Sequence, residues 1–455
     1  MANDMTKGNP IKLILLFAIP LFIGNIFQQI YNMADTFIVG RTIGVEALAA
    51  VGSTGSIMFL ILGFAHGLTS GLAIPLSQKY GAKEYHQLNK SFGVSLMITF
   101  GIGSVLSIAS MMLSRKLLEA MQTPPEIMEH AAKYIFIICS GILATMLYNL
   151  LSNILRAIGD SRTPLFFLII ASFINIALDL LFIVRLKMGV DGAAIATVVS
   201  QCFSAIACLI YIWRNLPTLH LKRESFKTTK EEVRHHLGIG FPMGFQMSII
   251  AIGAIAIQIA LNRLGSTAVA AYTASNKIDQ VATMPMMSFG VAMATYAAQN
   301  YGAKKYERIW VGVRDTVKIS VTYSFIEGIL IYLFSHHLIE IFIGKGQTEV
   351  LALSKWFFLT NSSIYFFLAM LFIYRYTLQG VGETRTPTIA GTIELSMRVF
   401  AAVILSLYFG FIGATIANPL AWIGALTPMM LKYYRFKKEH TPQESGGDLI
   451  VSEKN

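Results

Sequence analysis

Charge is scarce in this chain of 455 residues. Only 13% of the residues are Asp, Glu, Lys or Arg, whereas 55% are hydrophobic, and the mean hydropathy is +0.60. Soluble globular proteins carry about 25% charged residues. The composition therefore excludes a soluble protein and indicates a polytopic membrane protein.

Cysteine is also scarce. Cys139, Cys202 and Cys208 all lie in apolar stretches, and an odd, buried set argues against a disulfide framework. The sequence contains no Cys/His cluster with metal-ligand spacing, no glycine-rich phosphate loop and no nucleophile elbow. No enzyme signature remains, so neither enzyme activity nor a cofactor or metal is expected.

The hydrophobic stretches predict twelve membrane-spanning helices, since about 20 apolar residues cross a bilayer. Lys79, Lys83, Lys90 and the basic stretch 222–234 fall on the cytoplasmic side if both termini are cytoplasmic. This bias follows the positive-inside rule. The net charge of +11 therefore reflects topology and not nucleic-acid binding, and a bacterial plasma membrane is the expected location.

The chain contains an internal duplication. QKYGAKEY at 78–85 returns as QNYGAKKY at 299–306, and LRAIGDSRTP at 155–164 returns as LQGVGETRTP at 378–387. Six spans per copy give both copies the same orientation, which is a transporter architecture with a site between the lobes. The predicted organisation is an N-lobe (1–213), a cytoplasmic linker (214–236), a C-lobe (237–435) and a disordered cytoplasmic tail (436–455).

A polar face runs along the first span. Asn25, Gln28, Asn32 and Asp35 are spaced so that they line one side of a helix. An acid inside the membrane is costly and usually belongs to an ion or proton pathway. The alternative is a carboxylate that holds helix packing through its amide neighbours.

The motifs YNMADTFIVG (31–40) and NIALDLLFI (175–183), together with the two duplicated pairs, resemble the multidrug and toxic compound extrusion (MATE) family. The resemblance extends from about Ile11 to Tyr434. It implies two six-helix bundles related by a pseudo-two-fold axis, forming a V around a cavity that opens alternately to either face. It also implies export of lipophilic, often cationic compounds, driven by protons or sodium.

Within that family the chain resembles the DinF-like branch, whose N-lobe carries an acid network. The matching positions are Asp35, Asn175, Asp179 and Thr197, with Pro20 at the bend of the first helix. In the NorM-like branch the acids lie in the seventh, eighth and tenth spans. Here the seventh span has none and Asp279 alone remains in the eighth, so a C-lobe ion site is expected to be absent.

The duplication itself favours a coupling role for the N-lobe acids. Asp35 aligns with Ala256 and Asp179 with Ala402, so the second lobe lacks both carboxylates. Two neighbouring carboxylates in a low-dielectric site cannot both ionise cheaply, and the pair can share one proton. The same oxygens could hold sodium, and the residues leave both ions open.

The C-lobe spans contain their own charges: Lys277, Asp279, Glu394 and Arg398, with Glu327 in the ninth span. Glu394 and Arg398 are four apart, which predicts a salt bridge, whereas Lys277 and Asp279 are two apart and cannot share a face. Mutual neutralisation is favoured over a substrate site. Substrate contacts are predicted at Gln28, Asn32, Met33, Tyr148, Asn149, Asn153, Gln246 and Met287.

These features predict a cation-coupled antiporter, with protons favoured over sodium as the coupling ion, in which Asp35 and Asp179 form the coupling site. The expected partners are small lipophilic or cationic substrates and membrane lipid, with no nucleic acid, and the protein is expected to be a monomer. The alternatives are sodium coupling, a flippase for lipid-linked saccharides or other lipids, and a channel or scaffold.

Overall fold

The computed structural model describes residues 4–344 and 346–441, and the regular structure in these ranges is entirely helical. The first half contains α1 (Pro10–Thr42), α2 (Val45–Gly81), α3 (Tyr85–Ala120), α4 (Pro125–Ser140), α5 (Ile142–Ala157), α6 (Arg162–Asp179) and α7 (Val190–Asn215). The second half contains α8 (Lys230–Leu264), α9 (Ser266–Gly302), α10 (Tyr306–Ile343), α11 (Thr348–Ser362), α12 (Tyr365–Gly380), α13 (Arg385–Phe400), α14 (Ser406–Thr415) and α15 (Ala417–His440).

These helices form the predicted membrane-spanning segments. Within the described ranges, nine helical segments are long and apolar enough to cross a membrane. The pairs α4/α5 and α11/α12 bend by 45° and 46° at short breaks, and each pair provides one further span. These segments give up to eleven candidate spans in the described ranges. The last helix, α15, is 24 residues long and ends in a basic segment; it is not among these candidates, so a count of twelve spans stays a prediction. The all-helical polytopic fold predicted from the sequence is confirmed.

The packing repeats between the halves. α1 packs against α6 of its own half and α9 of the other, while α8 packs against α13 and α2. Both α6 and α13 continue into π-helical segments, Leu180–Arg185 and Ala401–Leu405. Equivalent helices therefore make equivalent contacts, as expected for two duplicated lobes.

The two ends of α1 belong to hydrophobic cores of different lobes. Near its start, Phe17 and Leu21 belong to the core cluster formed by the C-lobe helices. Near its end, Val39 packs with Ile183 and Ala193 of the N-lobe. The proposed boundary at 213 thus assigns to the N-lobe a helix whose first half is buried in the other lobe.

The linker is compact. Residues 214–236 contain two short 3₁₀ turns, and α8 begins inside this range at Lys230, with Thr229 and Glu232 forming a capping box. α15 continues to His440, so the helix extends past the predicted start of the tail at 436. The remainder of that tail, 442–455, lies outside the described residues.

The duplicated motifs meet where α2 and α9 end. A Cβ added at Gly81 would lie 1.9 Å from the Gln299 carbonyl oxygen, and one at Gly302 would lie 1.8 Å from that of Gln78. Across the same crossing, Gln78 Nε2 donates to the Gly380 carbonyl at 2.9 Å and Gln299 Nε2 to the Ala157 carbonyl at 2.8 Å. The two lobes are therefore joined tightly at this end of the molecule.

The N-terminal segment reinforces this closed end. The Met5 side chain is buried, and its backbone N–H donates to Gln299 Oε1 at 2.9 Å. Asn300 Nδ2 and Arg308 Nη2 both donate to the Met5 carbonyl. The segment before α1 is thus bound to the end of α9 and the start of α10.

Replacement of Gly302 by alanine tests the close approach. The added methyl group would overlap the backbone of α2, and such overpacking costs about 1–3 kcal/mol. We expect a lower thermal unfolding midpoint for the purified protein. Gly55→Ala is the matched control, because Gly55 lies in α2 with open space around its Cα. Equal midpoints for the two variants would contradict a tight helix crossing.

Candidate functional site

A cavity of about 1440 Å³ lies between the lobes, away from the closed end. Its walls are the second half of α1, the turn between α8 and α9, the first half of α9 and the end of α10. The residues contributed by α1 are Gln29, Asn32, Met33, Thr36, Phe37, Gly40 and Arg41. Most of the lining is apolar or uncharged, so the cavity suits a molecule with a large apolar body.

Two carboxyl groups meet on the N-lobe side of α1. The side chains of Asp35 and Asp179 lie next to each other. Asp179 is fully buried, and each residue has one buried oxygen without a hydrogen-bond partner in the described structure. Two adjacent carboxyl groups can share one proton through a hydrogen bond. The structure therefore brings the two predicted acids together.

The other predicted network members surround this pair. With its amide oriented to satisfy both ends, Asn175 donates to Asp179 Oδ2 at 2.9 Å and accepts from the Thr197 N–H at 3.2 Å. Tyr31 lies next to Thr197, and Tyr134 lies near Asp35. Sequence reasoning missed both tyrosines, although Tyr31 is one helical turn before Asp35.

Local backbone structure places the second acid. Asp179 is the last α-helical residue of α6, directly before the π-helical segment Leu180–Arg185. π-Helical turns are rare and are frequent at functional sites because they reorient the side chains around them. The equivalent segment in the C-lobe holds Ala402 at the aligned position. The backbone irregularity is shared by both lobes, but the acid is present only in the first.

Pro20 lies inside α1, which runs without interruption from Pro10 to Thr42. Its side chain is buried, and its ring nitrogen cannot donate to the carbonyl four residues earlier. The proline lies within the part of α1 that packs in the C-lobe, between Phe17 and Leu21. It removes one backbone hydrogen bond from α1 well before the segment that carries Asp35.

The predicted substrate contacts divide into three groups. Asn32 and Met33 line the cavity. Gln28 is exposed on the same helix but does not line it, and Asn149 and Met287 are half-buried elsewhere. Tyr148, Asn153 and Gln246 are buried inside the lobes, where Asn153 bonds to Ser70 and Arg156, and Gln246 accepts from Gln379. In this conformation only the first group reaches the cavity.

A buried ion cluster holds the C-lobe helices together. Glu394 pairs with Arg398 of the same helix at 3.6 Å, as the spacing predicted, and also with Arg375 of α12. Arg398 Nε donates to Asn418 Oδ1 at 3.2 Å. All three charged residues are buried. Sequence reasoning missed Arg375, which no helical spacing connects to Glu394.

The remaining C-lobe charges separate as their two-residue spacing predicted. Asp279 is buried and accepts a hydrogen bond from the Tyr365 hydroxyl at 2.5 Å. Nearby, Glu327 accepts from Tyr323 at 2.7 Å. Lys277 is exposed and lines the cavity. Asp279 and Lys277 therefore do not neutralise each other, and the C-lobe carries a second pair of acids near each other.

One protein-family model matches this chain twice, once in each of the duplicated halves. The MatE family model matches twice, at residues 20–181 and 242–404. The two matches have nearly the same length and begin at the prolines inside α1 and α8. Together they cover most of the membrane-spanning part of the chain.

Curated relatives and solved structures agree with that match. The probable multidrug resistance protein YoeA of Bacillus subtilis is 30% identical over 92% of each chain, and YpnP of the same organism is 30% identical over 76% of this chain and 77% of its own. A solved outward-facing multidrug resistance MATE family transporter of the MOP superfamily superposes with a TM-score of 0.89, at 23% identity and over 96% of this chain and 98% of the other. The chain belongs to the MATE family of multi-pass membrane transporters.

The C-lobe ion cluster makes a stability prediction. Glu394→Gln leaves two buried arginines without their carboxylate, and breaking a buried pair in this way costs about 3–5 kcal/mol. We expect a large drop in the thermal unfolding midpoint of the purified protein. Glu439→Gln breaks only the exposed pair with Arg435, which is worth about 0–1 kcal/mol. Similar midpoints for the two variants would contradict a structural role for the cluster.

Proposed function

We propose that this protein is a proton-coupled antiporter that exports lipophilic small molecules across a plasma membrane by alternating access. The Asp35–Asp179 pair is the coupling site, with Asn175 and Thr197 as its supporting partners. The single observation that carries the proposal is the adjacency of these two carboxyl groups, one on α1 and one at the end of α6. Relatives named as multidrug resistance and multidrug export proteins support small-molecule export.

The pair responds to protonation through charge repulsion. With one shared proton, the two carboxyl groups attract each other and keep the second half of α1 on the N-lobe. Loss of that proton leaves two negative charges in a low-dielectric site, where their repulsion is poorly screened. Asp35 and Asp179 then separate, or one of them gains another proton. A proton entering from outside and leaving to the cytoplasm would thus move α1 in each cycle.

α1 transmits this change to the lobe interface. Its first half is fixed in the C-lobe core by residues such as Phe17 and Leu21, and Asn25 Nδ2 donates to Ser288 Oγ of α9 at 3.3 Å. Its second half forms one wall of the cavity. A shift of the segment after Asn25 therefore reshapes the cavity while the C-lobe anchor stays in place, whereas a bend at Pro20 would also move Leu21 and Asn25 away from their C-lobe contacts.

The orientation follows from the basic segments. If the termini are cytoplasmic, the closed end formed by α2, α9 and the N-terminal segment faces the cytoplasm, and the cavity is nearer the outside. Substrate release to the outside is then possible from this conformation, and uptake from the cytoplasm needs the α2/α9 crossing to open. We propose that the transporter acts as a monomer.

Transport in proteoliposomes tests the coupling site. Two dansyl-alkyl dyes share one body and end in either a trimethylammonium or a carboxylate group, and dye-driven proton movement is measured with sodium present or absent. For at least one dye, we expect proton movement in the native protein without sodium. Asp35→Asn and Asp179→Asn should abolish it, because an amide cannot carry the exchanged proton.

Glu126→Gln serves as the matched control, since it removes an exposed carboxylate from α4 of the same lobe and should leave proton movement unchanged. Native-like proton movement in both Asp variants would return the pair to a structural role. Transport that occurs only with sodium would support the same coupling site with sodium in place of protons.

A further inference from the structure

The cavity charge has one sign. Two charged side chains line it, Arg41 at the end of α1 and Lys277 on α9, and no Asp or Glu is among the lining residues of the described structure. We propose that the cavity selects amphipathic anions, with an apolar body and one acidic head group, and that Lys277 binds the head group. This inference rests on the proposed export function and specifies its substrate class.

Of the two charged lining residues, Lys277 gives the stronger argument for a ligand-binding role. It is eleven residues after the first residue of α9, which places it roughly 16 Å along the helix axis from that end. A charged side chain on a membrane-spanning helix is normally paired or functional. In the described structure Lys277 is exposed, lines the cavity and forms no salt bridge, so its ammonium group is free to pair with an acidic group of a ligand.

The nearby acids are directed elsewhere. Asp279 is buried in the C-lobe and accepts a hydrogen bond from Tyr365. Asp35 lies next to Asp179 and is not among the residues that line the cavity. Neither contributes negative charge to the lining. A cation entering the cavity would therefore meet positive charge without a compensating carboxylate, whereas an acidic head group would pair with the Lys277 ammonium group.

The rest of the lining suits the apolar body of such a ligand. Met33 and Phe37 of α1 are 64% and 70% exposed, and they line the cavity together with Val269 and Val281 of α9. Flexible methionine and aromatic surfaces adapt to apolar groups of varied shape. Arg41, at the end of α1, provides a second positive charge in the same lining.

Ligand binding to the purified protein in neutral phosphatidylcholine nanodiscs tests the proposal. The two dansyl-alkyl dyes are titrated by fluorescence, and the signal from empty nanodiscs is subtracted. We expect the carboxylate dye to bind more tightly than the trimethylammonium dye. Because a charge-assisted contact is lost, Lys277→Gln should weaken carboxylate binding about tenfold, and Lys277→Glu should reverse the preference.

Arg263→Gln provides the matched control. Arg263 is exposed at the end of α8, next to the lining residue Asn262, but does not line the cavity. Its replacement removes the same surface charge and should leave both affinities unchanged. Tighter binding of the cationic dye by the native protein, or equal losses in the Arg263 and Lys277 variants, would overturn the proposal. Since no ion gradient is applied, this result is independent of whether the Asp35–Asp179 pair couples protons.

The acidic head group could belong to a membrane lipid or to a free amphiphile. Repeating the titration with phosphatidylglycerol in the nanodiscs distinguishes these sources. Competition with the carboxylate dye that disappears in Lys277→Gln would identify an acidic lipid as an occupant and support a lipid-translocating function. Unchanged binding of the dye would support a free amphipathic anion as the substrate.

Discussion

The backbone contact between α2 and α9 is the constraint on which the rest of the structure depends. Gly81 and Gly302 allow each helix to touch the carbonyl of a glutamine on the other, and no larger residue fits at either position without displacing a helix. With the lobes joined at this crossing, the helices diverge toward the opposite end and leave the cavity between them. The position of the cavity and the separation of its walls both follow from one close approach.

α1 links the closed end and the cavity to the Asp35–Asp179 pair. Its start is buried among C-lobe side chains, its middle contacts α9 through Asn25, and its end carries Asp35 against the N-lobe. A helix held by one lobe at its start and by the other at its end cannot remain undisturbed when the lobes change their angle. A change in the charge of the Asp35–Asp179 pair therefore acts on the helix that contacts both lobes.

Much of this arrangement was predictable because it depends on local spacing and repetition. The apolar stretches predicted the helices, the recurring motifs predicted the two lobes, and the four-residue spacing predicted the Glu394–Arg398 pair. The partners that were missed, Tyr31, Tyr134 and Arg375, come together only through the crossing of helices distant in sequence. The cavity charge was missed for a related reason: spacing showed that Lys277 and Asp279 point apart, but only packing shows which of them faces the cavity.

The duplicated motifs also affect how the closed end can open. The Gln78–Gly380 and Gln299–Ala157 hydrogen bonds cross the same narrow contact, and Gln299 additionally holds Met5 of the N-terminal segment. These hydrogen bonds lie at one helix crossing, so separating α2 from α9 far enough to break one of them also strains the others. A partly opened crossing would leave buried amide groups without hydrogen-bond partners. The transition at this end is therefore expected to be all-or-none, so that the transporter passes between two discrete states and leaks little in between.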